Sequence, residues 1–194
     1  MPDPTRQLST PVRTEQVAYR YPNCEFGLEE TSVDFKAGQF IHIQGPSGSG
    51  KSTLARCLTG LIPHLYHGEM TGEVWLNGSR TSDSELWELA EKVGMVYQNP
   101  DTQMLGATVE DEIIFGLENL GLPPELIDER LDEVLEQFSL TGMRRRSPMT
   151  LSGGERQKLA LAAMIARKPG ILVLDEPLSM LDVTAATELI ADLI

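Results

Sequence analysis

Eight consecutive residues constrain this chain more than any others. They are Gly45, Pro46, Ser47, Gly48, Ser49, Gly50, Lys51 and Ser52, and they fit the phosphate-loop pattern G-x-x-x-x-G-K-S/T at every fixed position. The apolar residues 40–44 before the loop predict a short strand, and residues 51–59 after it predict a helix that Gly60 closes. A strand, this loop and a helix in that order are the setting in which the motif binds phosphate.

The residue types of the loop indicate what it would bind. Glycines let backbone N–H groups curl around a phosphate with no Cβ in the way, and a helix start adds N–H groups and a partial positive charge. We expect Lys51 to reach the β- and γ-phosphates, Ser52 to bind Mg²⁺ and Thr53 to complete the nucleotide site. The alternative is an ordinary glycine-rich turn with an exposed lysine. Such a turn would not require the strand and the helix that are predicted on either side of the loop.

Composition excludes some classes of protein. The apolar fraction of 41% is ordinary for a soluble globular chain. A net charge of −13 argues against broad nucleic-acid or anionic-lipid binding. No apolar run approaches the roughly 20 residues needed to span a bilayer. Cys24 and Cys57 lie far apart without a C-x-x-C pattern, which favours reduced thiols, with Cys57 serving packing.

Hydrophobic periodicity predicts an α/β chain. Predicted strands share alternating apolar residues or a short apolar run, and they lie at 17–21, 33–35, 73–76, 93–97 and 171–174, the last of them fully buried. A capping box at 82–85 opens a predicted helix to about Lys92, Ser152 starts another that runs to about Arg167, and a last one starts at about Val183. His64 and His67 have no neighbouring acidic, His or Cys cluster that would complete a metal site.

From Gln98 the pattern becomes helical. Thr108 predicts the cap of a helix that runs to about Asn119, and a second helix carries apolar residues at helical spacing, namely Ile127, Leu131, Val134, Leu135 and Phe138. We therefore predict a helical subdomain, residues 98–150, inserted in an α/β core of residues 1–97 and 151–194. The basic run 144–146 predicts a solvated loop, and a contact surface is the alternative.

Two acidic residues follow the predicted strand 171–174. Asp175 is placed to hold Mg²⁺ opposite Ser52, partly through water, and Glu176 is placed to orient and deprotonate an attacking water. Two acids after an apolar strand are common by chance. Combined with the phosphate loop, they predict a P-loop NTPase.

A third motif is Leu151-Ser152-Gly153-Gly154-Glu155. Ser152 and Glu155 by themselves form a capping box, so the simplest interpretation is a helix start. That interpretation does not need the double glycine. The glycines leave the helix N-terminus bare, so that backbone can approach an anion.

With these motifs in order, the chain resembles an ATP-binding-cassette (ABC) ATPase from about Val12 onward. Residues 151–157 match the signature of that family, Gln98 matches its glutamine loop, and 179–182 match its D-loop, which includes Asp182. Tyr21 stands where the family stacks an aromatic ring on adenine, and Tyr19 is a near rival. The family fold is a P-loop core with an N-terminal antiparallel β subdomain and a helical subdomain.

The resemblance implies ATP and Mg²⁺ as cofactors and two subunits that face each other head to tail. Each ATP would lie between the phosphate loop of one subunit and the signature residues of the other, above all Ser152 and Gly154. Gln98 would join Ser52 and Asp175 around Mg²⁺ and act in catalysis with Lys51 and Glu176. Closure would assemble the site, and hydrolysis would reopen it.

A narrower resemblance is to the energy-coupling-factor importers of vitamins and of cobalt or nickel ions. It rests on residues 61–66, 98–103, 108–112 and 115–121. In that family two ATPases drive a membrane scaffold that carries a substrate-capturing subunit, and the helical insert would grip a scaffold helix. The resemblance implies a peripheral position on the cytoplasmic face of the membrane and no nucleic-acid partner.

Three alternatives stay open. They are an ATPase of another ABC importer or exporter, a soluble ABC protein that acts on DNA or ribosomes, and a subunit that binds ATP without hydrolysing it. No sustained heptads and no C-x-x-C lie between Lys51 and Ser152, which disfavours the DNA-repair type. Glu176, Gln98 and the signature disfavour the binding-only type.

The ABC pattern also expects a switch histidine after the D-loop. The three histidines, His42, His64 and His67, all precede Gln98. We therefore expect these 194 residues to be part of a longer ABC ATPase, such as the first half of a fused pair, and to hydrolyse ATP poorly by themselves.

Overall fold

The computed structural model describes residues 11–24, 26–178, 186, 187 and 190. The chain divides into two compact units, Met1–Val93 and Gly94–Ile194. The predicted grouping of 1–97 with 151–194 around an inserted 98–150 stays a prediction.

The first unit is built on a four-stranded antiparallel sheet in the order β2-β1-β3-β4. The strands are β1 (Val12–Arg20), β2 (Gly27–Phe35), β3 (Glu69–Leu76) and β4 (Ser79–Arg80). β3 starts four residues before the predicted strand because its pairing with β1 begins at Glu69. Every second residue of β1 from Val12 to Thr14 and from Val17 to Tyr19 is buried, so the predicted antiparallel β subdomain is confirmed.

Among the described residues of the first unit, three segments are α-helical. They are α1 (Lys51–Leu58), α2 (Leu61–His64) and α3 (Leu86–Lys92). α1 ends at Thr59 and Gly60, which has φ 75°, as the sequence predicts. The capping box of α3 is formed by Glu85 and Glu88. The predicted cap at Ser82 is wrong, because Thr81–Asp83 forms a 3₁₀ turn whose first residue is fully buried.

The strand predicted before the phosphate loop is wrong. Residues 40–44 take no strand conformation, and Phe40 is 72% exposed, with Ile41 and Ile43 also exposed. A strand exists through hydrogen bonds to a neighbour, and the four described strands of the first unit pair only among themselves. The apolar side chains among residues 40–44 are compatible with a buried strand. They do not show which neighbouring strand would pair with this segment.

Between Gly94 and Leu178, the described part of the second unit combines three α-helices with a two-stranded sheet. The helices are α4 (Val109–Glu118), α5 (Pro124–Gln137) and α6 (Gly153–Ala166). β5 (Val93–Val96) leads into the unit and pairs with β6 (Ile171–Leu174). All four residues of β6 are half-buried, so its predicted full burial is wrong, since β5 is its single strand neighbour in the described chain.

The helices pack around one apolar core. α5 contributes the predicted face, with Leu131, Val134 and Leu135 buried on the helix and Phe138 buried just after it. The facing residues come from α4 and α6, chiefly Ile113, Leu117, Leu159 and Leu161. This packing confirms the helical periodicity predicted for the insert.

The basic run 144–146 binds the start of α4 through ion pairs and hydrogen bonds. The prediction of a simple solvated loop is therefore corrected. Arg144 Nε and Arg145 Nη1 lie 2.7 and 2.6 Å from the carboxylate of Glu110, whose side chain is 8% exposed. The hydrogen bond that Arg144 donates to the Glu110 carboxylate raises the pKa of Arg144. The carbonyls of Arg144 and Arg146 also accept from the N–H groups of Glu110 and Val109. Residues 144–146 thus pair with the buried carboxylate of Glu110 and accept hydrogen bonds from two N–H groups in the first turn of α4.

Two remaining predictions concern cysteine and the chain after β6. Burial raises the pKa of Cys57 to about 12, so the thiol stays protonated and serves packing, as predicted. The helix predicted from about Val183 falls largely outside the described residues. No helix in the described ranges is both long enough and apolar enough to cross a bilayer.

Candidate nucleotide site

The phosphate loop lies exposed at the start of α1. Gly48 and Gly50 have φ of 80° and 90°, a conformation that glycine adopts without steric cost. A Cβ at Gly50 would lie 2.9 Å from the carbonyl oxygen of Gly27, and one at Gly45 would lie 2.7 Å from Ser49 Oγ. The backbone path of this loop therefore depends on glycine at two of its fixed positions.

The ammonium of Lys51 is held at the loop itself. Its Nζ donates to the carbonyls of Gly45 at 2.9 Å and Pro46 at 3.0 Å. An ammonium has three donors, so one remains to donate to a phosphate oxygen while these two fix the charge. Ser52 and Thr53 follow in the first turn of α1, with Thr53 buried. These residues fit the phosphates of a nucleotide.

Beside the loop, the structure separates the two candidate tyrosines. Tyr19 is fully buried and donates its hydroxyl to the carbonyls of Tyr66 and His67, and burial raises its pKa. Tyr21 is half-buried, packs edge-on against Tyr19 with ring centroids 4.8 Å apart, and accepts a 2.6 Å hydrogen bond from Arg56. A pocket of about 540 Å³ is lined by residues 20–24 with Gly68 and Glu69. Tyr21 is therefore the accessible ring of the pair.

In the second unit, the ends of β5 and β6 bring two predicted residues together. The N–H of Asp175 donates to the carbonyl of Val96 at 2.9 Å, so both strands end at the same edge. Just beyond that edge, Gln98 Nε2 donates to Glu176 Oε2 at 2.7 Å. Glu176 is exposed and has φ 51°, an uncommon backbone conformation for a residue with a side chain.

The signature segment caps α6. Ser152 Oγ accepts from the N–H of Glu155 at 3.3 Å, and the carboxylate of Glu155 accepts from the N–H of Ser152 at 2.6 Å, so the predicted capping box is confirmed. The hydrogen bond from the Ser152 N–H to the Glu155 carboxylate, followed by a hydrogen bond from the Ser152 side chain, lowers the pKa of Glu155. A Cβ at Gly153 would meet no atom within 4 Å.

Comparison with known proteins decides the family. The family model described as "ABC transporter" matches residues 28–179, which is most of the chain. The chain belongs to the ABC transporter family.

Similar ABC proteins include transporter subunits. The chain is 41% identical to an energy-coupling factor transporter ATP-binding protein, EcfA1, of Lacticaseibacillus paracasei over 92% of the chain and 63% of that protein. It is 41% identical to EcfA1 of Streptococcus agalactiae over 85% of the chain and 57% of that protein. The first curated relatives are matched over 31% to 65% of their own length, so the chain spans less than two thirds of them.

A solved structure of the same family has a similar fold. CbiO1 of Clostridium perfringens, described as part of the ABC transporter complex CbiONQ, superposes with a TM-score of 0.81 at 27% identity. The match covers 95% of this chain and 72% of that one. The P-loop NTPase fold predicted from the sequence is therefore confirmed.

Some ABC site predictions are not tested by the structure. Ser52 belongs to the first unit and Gln98 and Asp175 to the second, so their grouping around Mg²⁺ stays a prediction. Asp182 and the rest of the D-loop lie outside the described residues. Among the residues that are described, no group of three or more His, Cys, Asp or Glu side chains is suited to hold a metal.

Sequence reasoning missed the side chain that shapes the glutamine loop. Gln103 accepts from the N–H of Tyr97 at 2.8 Å and donates to the carbonyl of Met95 at 3.1 Å. These bonds tie the 3₁₀ turn Pro100–Thr102 back onto the end of β5. The missed signal was a polar amide five residues after Gln98 in a segment with otherwise little regular structure.

Proposed function

We propose that the chain is an ATP-binding and ATP-hydrolysing subunit that powers import of a vitamin or a transition-metal ion through a membrane scaffold protein. The observation that carries the nucleotide part is the glycine-shaped loop with the Lys51 ammonium fixed at its carbonyls. The narrower import role is supported by similarity to the two EcfA1 proteins and to CbiO1.

The loop residues bind the nucleotide in this proposal. Backbone N–H groups of residues 47–52 and the Lys51 ammonium hold the β- and γ-phosphates, and Tyr21 stacks on adenine. Ser52, Gln98 and Asp175 would hold Mg²⁺, which would neutralise charge on the phosphates. The described residues offer oxygen ligands, which Mg²⁺ prefers.

Glu176 acts on the attacking water. Its carboxylate already accepts the hydrogen bond from Gln98, and a carboxylate has further acceptor sites for the water proton. The side-chain amide of Gln98 thus orients Glu176 through its nitrogen, while the oxygen of the same amide would be available to the metal.

A second ABC ATPase, identical or related, completes each site. The Ser152 hydroxyl and the bare N-terminus of α6 would bind the γ-phosphate held by the other subunit. The open space over Gly153 would let that phosphate approach the backbone.

The helical subdomain is the proposed contact with the scaffold at the cytoplasmic face of the membrane. It exposes Phe115 on α4 and Leu105 before it, at 48% and 73%. Glu112, itself buried, accepts from the N–H groups of Leu105 and Gly106 at 2.7 and 2.6 Å, which fixes the segment that carries Leu105. Large exposed apolar side chains on a fixed backbone suit a protein partner.

Uptake by cells tests the import role. We would replace Glu176 by Gln in the chromosome of the source organism and measure accumulation of radiolabelled cobalt, nickel and vitamins, with Glu91→Gln, an exposed acid on α3, as the control. The proposal expects Glu176→Gln alone to abolish uptake of one of these substrates. Unchanged uptake of all of them, with ATP binding intact in the purified protein, would contradict import and leave the nucleotide role standing.

A further inference from the structure

Arg156 joins the two motifs of the second unit that the proposed function assigns to different ATP sites. It lies on α6, four residues after Ser152. Its Nε forms an ion pair with Asp101 Oδ1 at 2.6 Å without the geometry of a hydrogen bond, and its Nη1 donates to the carbonyl of Leu151. The Arg156 side chain is 24% exposed, so one largely covered guanidinium holds both contacts.

Asp101 is rigidly attached to the glutamine loop. It lies in the 3₁₀ turn Pro100–Thr102, and its N–H donates to Asn99 Oδ1 at 3.0 Å. Gln103 ties the same turn to the end of β5. Only Asn99 and Pro100 separate Gln98 from Asp101 in this hydrogen-bonded segment, so a backbone displacement at Gln98 would be passed on to Asp101.

The contact at Leu151 acts on the other motif. Leu151 is buried, and its carbonyl belongs to the peptide that leads into Ser152. A guanidinium on that carbonyl sets the orientation of the peptide plane, and with it the position of Ser152 and of the first N–H groups of α6. Contacts thus run without a gap from Glu176 through the Gln98 loop, Asp101 and Arg156 to Ser152, within one unit.

A surface ion pair alone usually contributes little, because water and salt screen it. Three features distinguish this pair. Its arginine is mostly covered, the same guanidinium also donates a hydrogen bond to the carbonyl of Leu151, and both partners lie next to motifs that are expected to contact nucleotide. A planar guanidinium with several donors is suited to hold two acceptors in a fixed relation.

We propose that Arg156 is a positioning residue that couples the glutamine loop to the signature segment of the same subunit. ATP at a subunit's own loop, sensed by Gln98, then governs how Ser152 is presented to the ATP of a second copy. This inference rests on the proposed function, since it requires ATP binding and a signature that acts on the partner's nucleotide.

The test is a double-mutant cycle on nucleotide-dependent dimerisation. Variants are Asp101→Asn, Arg156→Met and both together, and Lys168→Met is the control because Lys168 pairs with Glu133 elsewhere in the unit at 2.9 Å. With a non-hydrolysable ATP analogue, titration at low protein concentration gives the nucleotide Kd. Analytical ultracentrifugation at saturating analogue gives the dimer Kd. Circular dichroism and melting curves establish that each variant is folded.

We expect each single variant to leave the nucleotide Kd within about twofold and to weaken the dimer about tenfold, with the double variant no weaker than either single one. Lys168→Met should match the wild type in both constants. Should Arg156→Met fail to fold, Arg156→Lys keeps the charge but not the planar fork, and its dimer Kd should lie between those of the wild type and Asp101→Asn.

Three outcomes overturn the coupling. The first is an unchanged dimer Kd in the single variants. The second is a double variant whose fold-change in dimer Kd equals the product of the two single fold-changes. The third is a loss of nucleotide affinity as large as the loss of dimer affinity. A wild-type chain that binds no ATP analogue contradicts the proposed function itself. One that binds the analogue but never dimerises contradicts the trans role of Ser152, and the coupling with it.

Discussion

Gln98 Nε2 donates to Glu176 Oε2 at 2.7 Å, although 78 positions separate the two residues in the chain. The bond forms because Val96 and Asp175 are joined where β5 and β6 end together. A glutamine amide and a carboxylate, each with oxygen left over for further ligands, are thereby held side by side at an exposed edge. The same two residues are the ones that the ABC resemblance assigns to the metal and to the attacking water.

Replacing Glu176 by Gln should keep ATP binding, remove turnover and favour an ATP-dependent dimer. The amide preserves the size of the side chain while it removes the base and a negative charge near the γ-phosphate. Phosphate release and size-exclusion chromatography with light scattering measure the two effects. Hydrolysis by Glu176→Gln at the wild-type rate would show that another group is the base.

Replacing Phe115 by Asp should loosen membrane association and uncouple ATP hydrolysis from transport. Phe115 is 48% exposed on α4, so a charge there would oppose an apolar contact with the scaffold. Trp87→Asp makes a similar change at a 63% exposed residue of the first unit and is the matched control. The measurement is membrane co-sedimentation together with substrate uptake in vesicles. Normal uptake by a folded Phe115→Asp protein would exclude this surface as the docking site.

Replacing Glu110 by Gln should lower the free energy of unfolding by about 1–2 kcal/mol. The carboxylate of Glu110 is buried against Arg144 and Arg145, and hydrogen bonds between charged groups contribute about this much. The loss stays below that of a fully buried pair because both arginines can still reach water. Urea unfolding of this variant beside Glu136→Gln, an exposed acid on α5, tests the value. Equal stability of the two variants would mean that the contacts of Glu110 with Arg144 and Arg145 contribute nothing to the free energy of unfolding.

The capping box at Ser152 should make stability depend on acid pH. Hydrogen bonds from Ser152 lower the pKa of Glu155 below its ordinary 4.5, so its ionised form stabilises the folded state above that value. This contribution is lost as pH falls through the lowered pKa. Urea unfolding between neutral pH and about pH 3 should therefore show a smaller loss of stability for Glu155→Gln than for the wild type. Parallel curves for the two proteins would contradict this contribution.

Local signals were predicted well because they depend on neighbouring residues. The Lys51 helix with its Gly60 stop, the Thr108 cap and the Ser152 capping box all follow from side chains within a few positions. The cap at Ser82 failed because two overlapping boxes compete there. Burial of Thr81, a tertiary effect, selected the one at Glu85.

Features set by distant partners could not be predicted in the same way. Residues 40–44 are apolar enough for a strand, but their sequence does not say which strand would pair with them. Arg156 was part of a predicted motif, yet its contact with Asp101 depends on how the loop after β5 meets α6. Gln103 and Glu112 likewise act on backbone groups that no periodicity identifies.

ATP binding by the Lys51→Ala variant tests the central claim most directly. Lys36, an exposed lysine of the same unit, provides the control Lys36→Ala, which removes an equal charge away from the loop. Equilibrium titration with Mg²⁺ and ATP should give the same weak to moderate affinity for the wild type and Lys36→Ala. Lys51→Ala should bind at least about tenfold more weakly, because a charge on the β- and γ-phosphates is lost. Equal affinity of all three proteins would contradict the assignment of residues 45–52 as the nucleotide site.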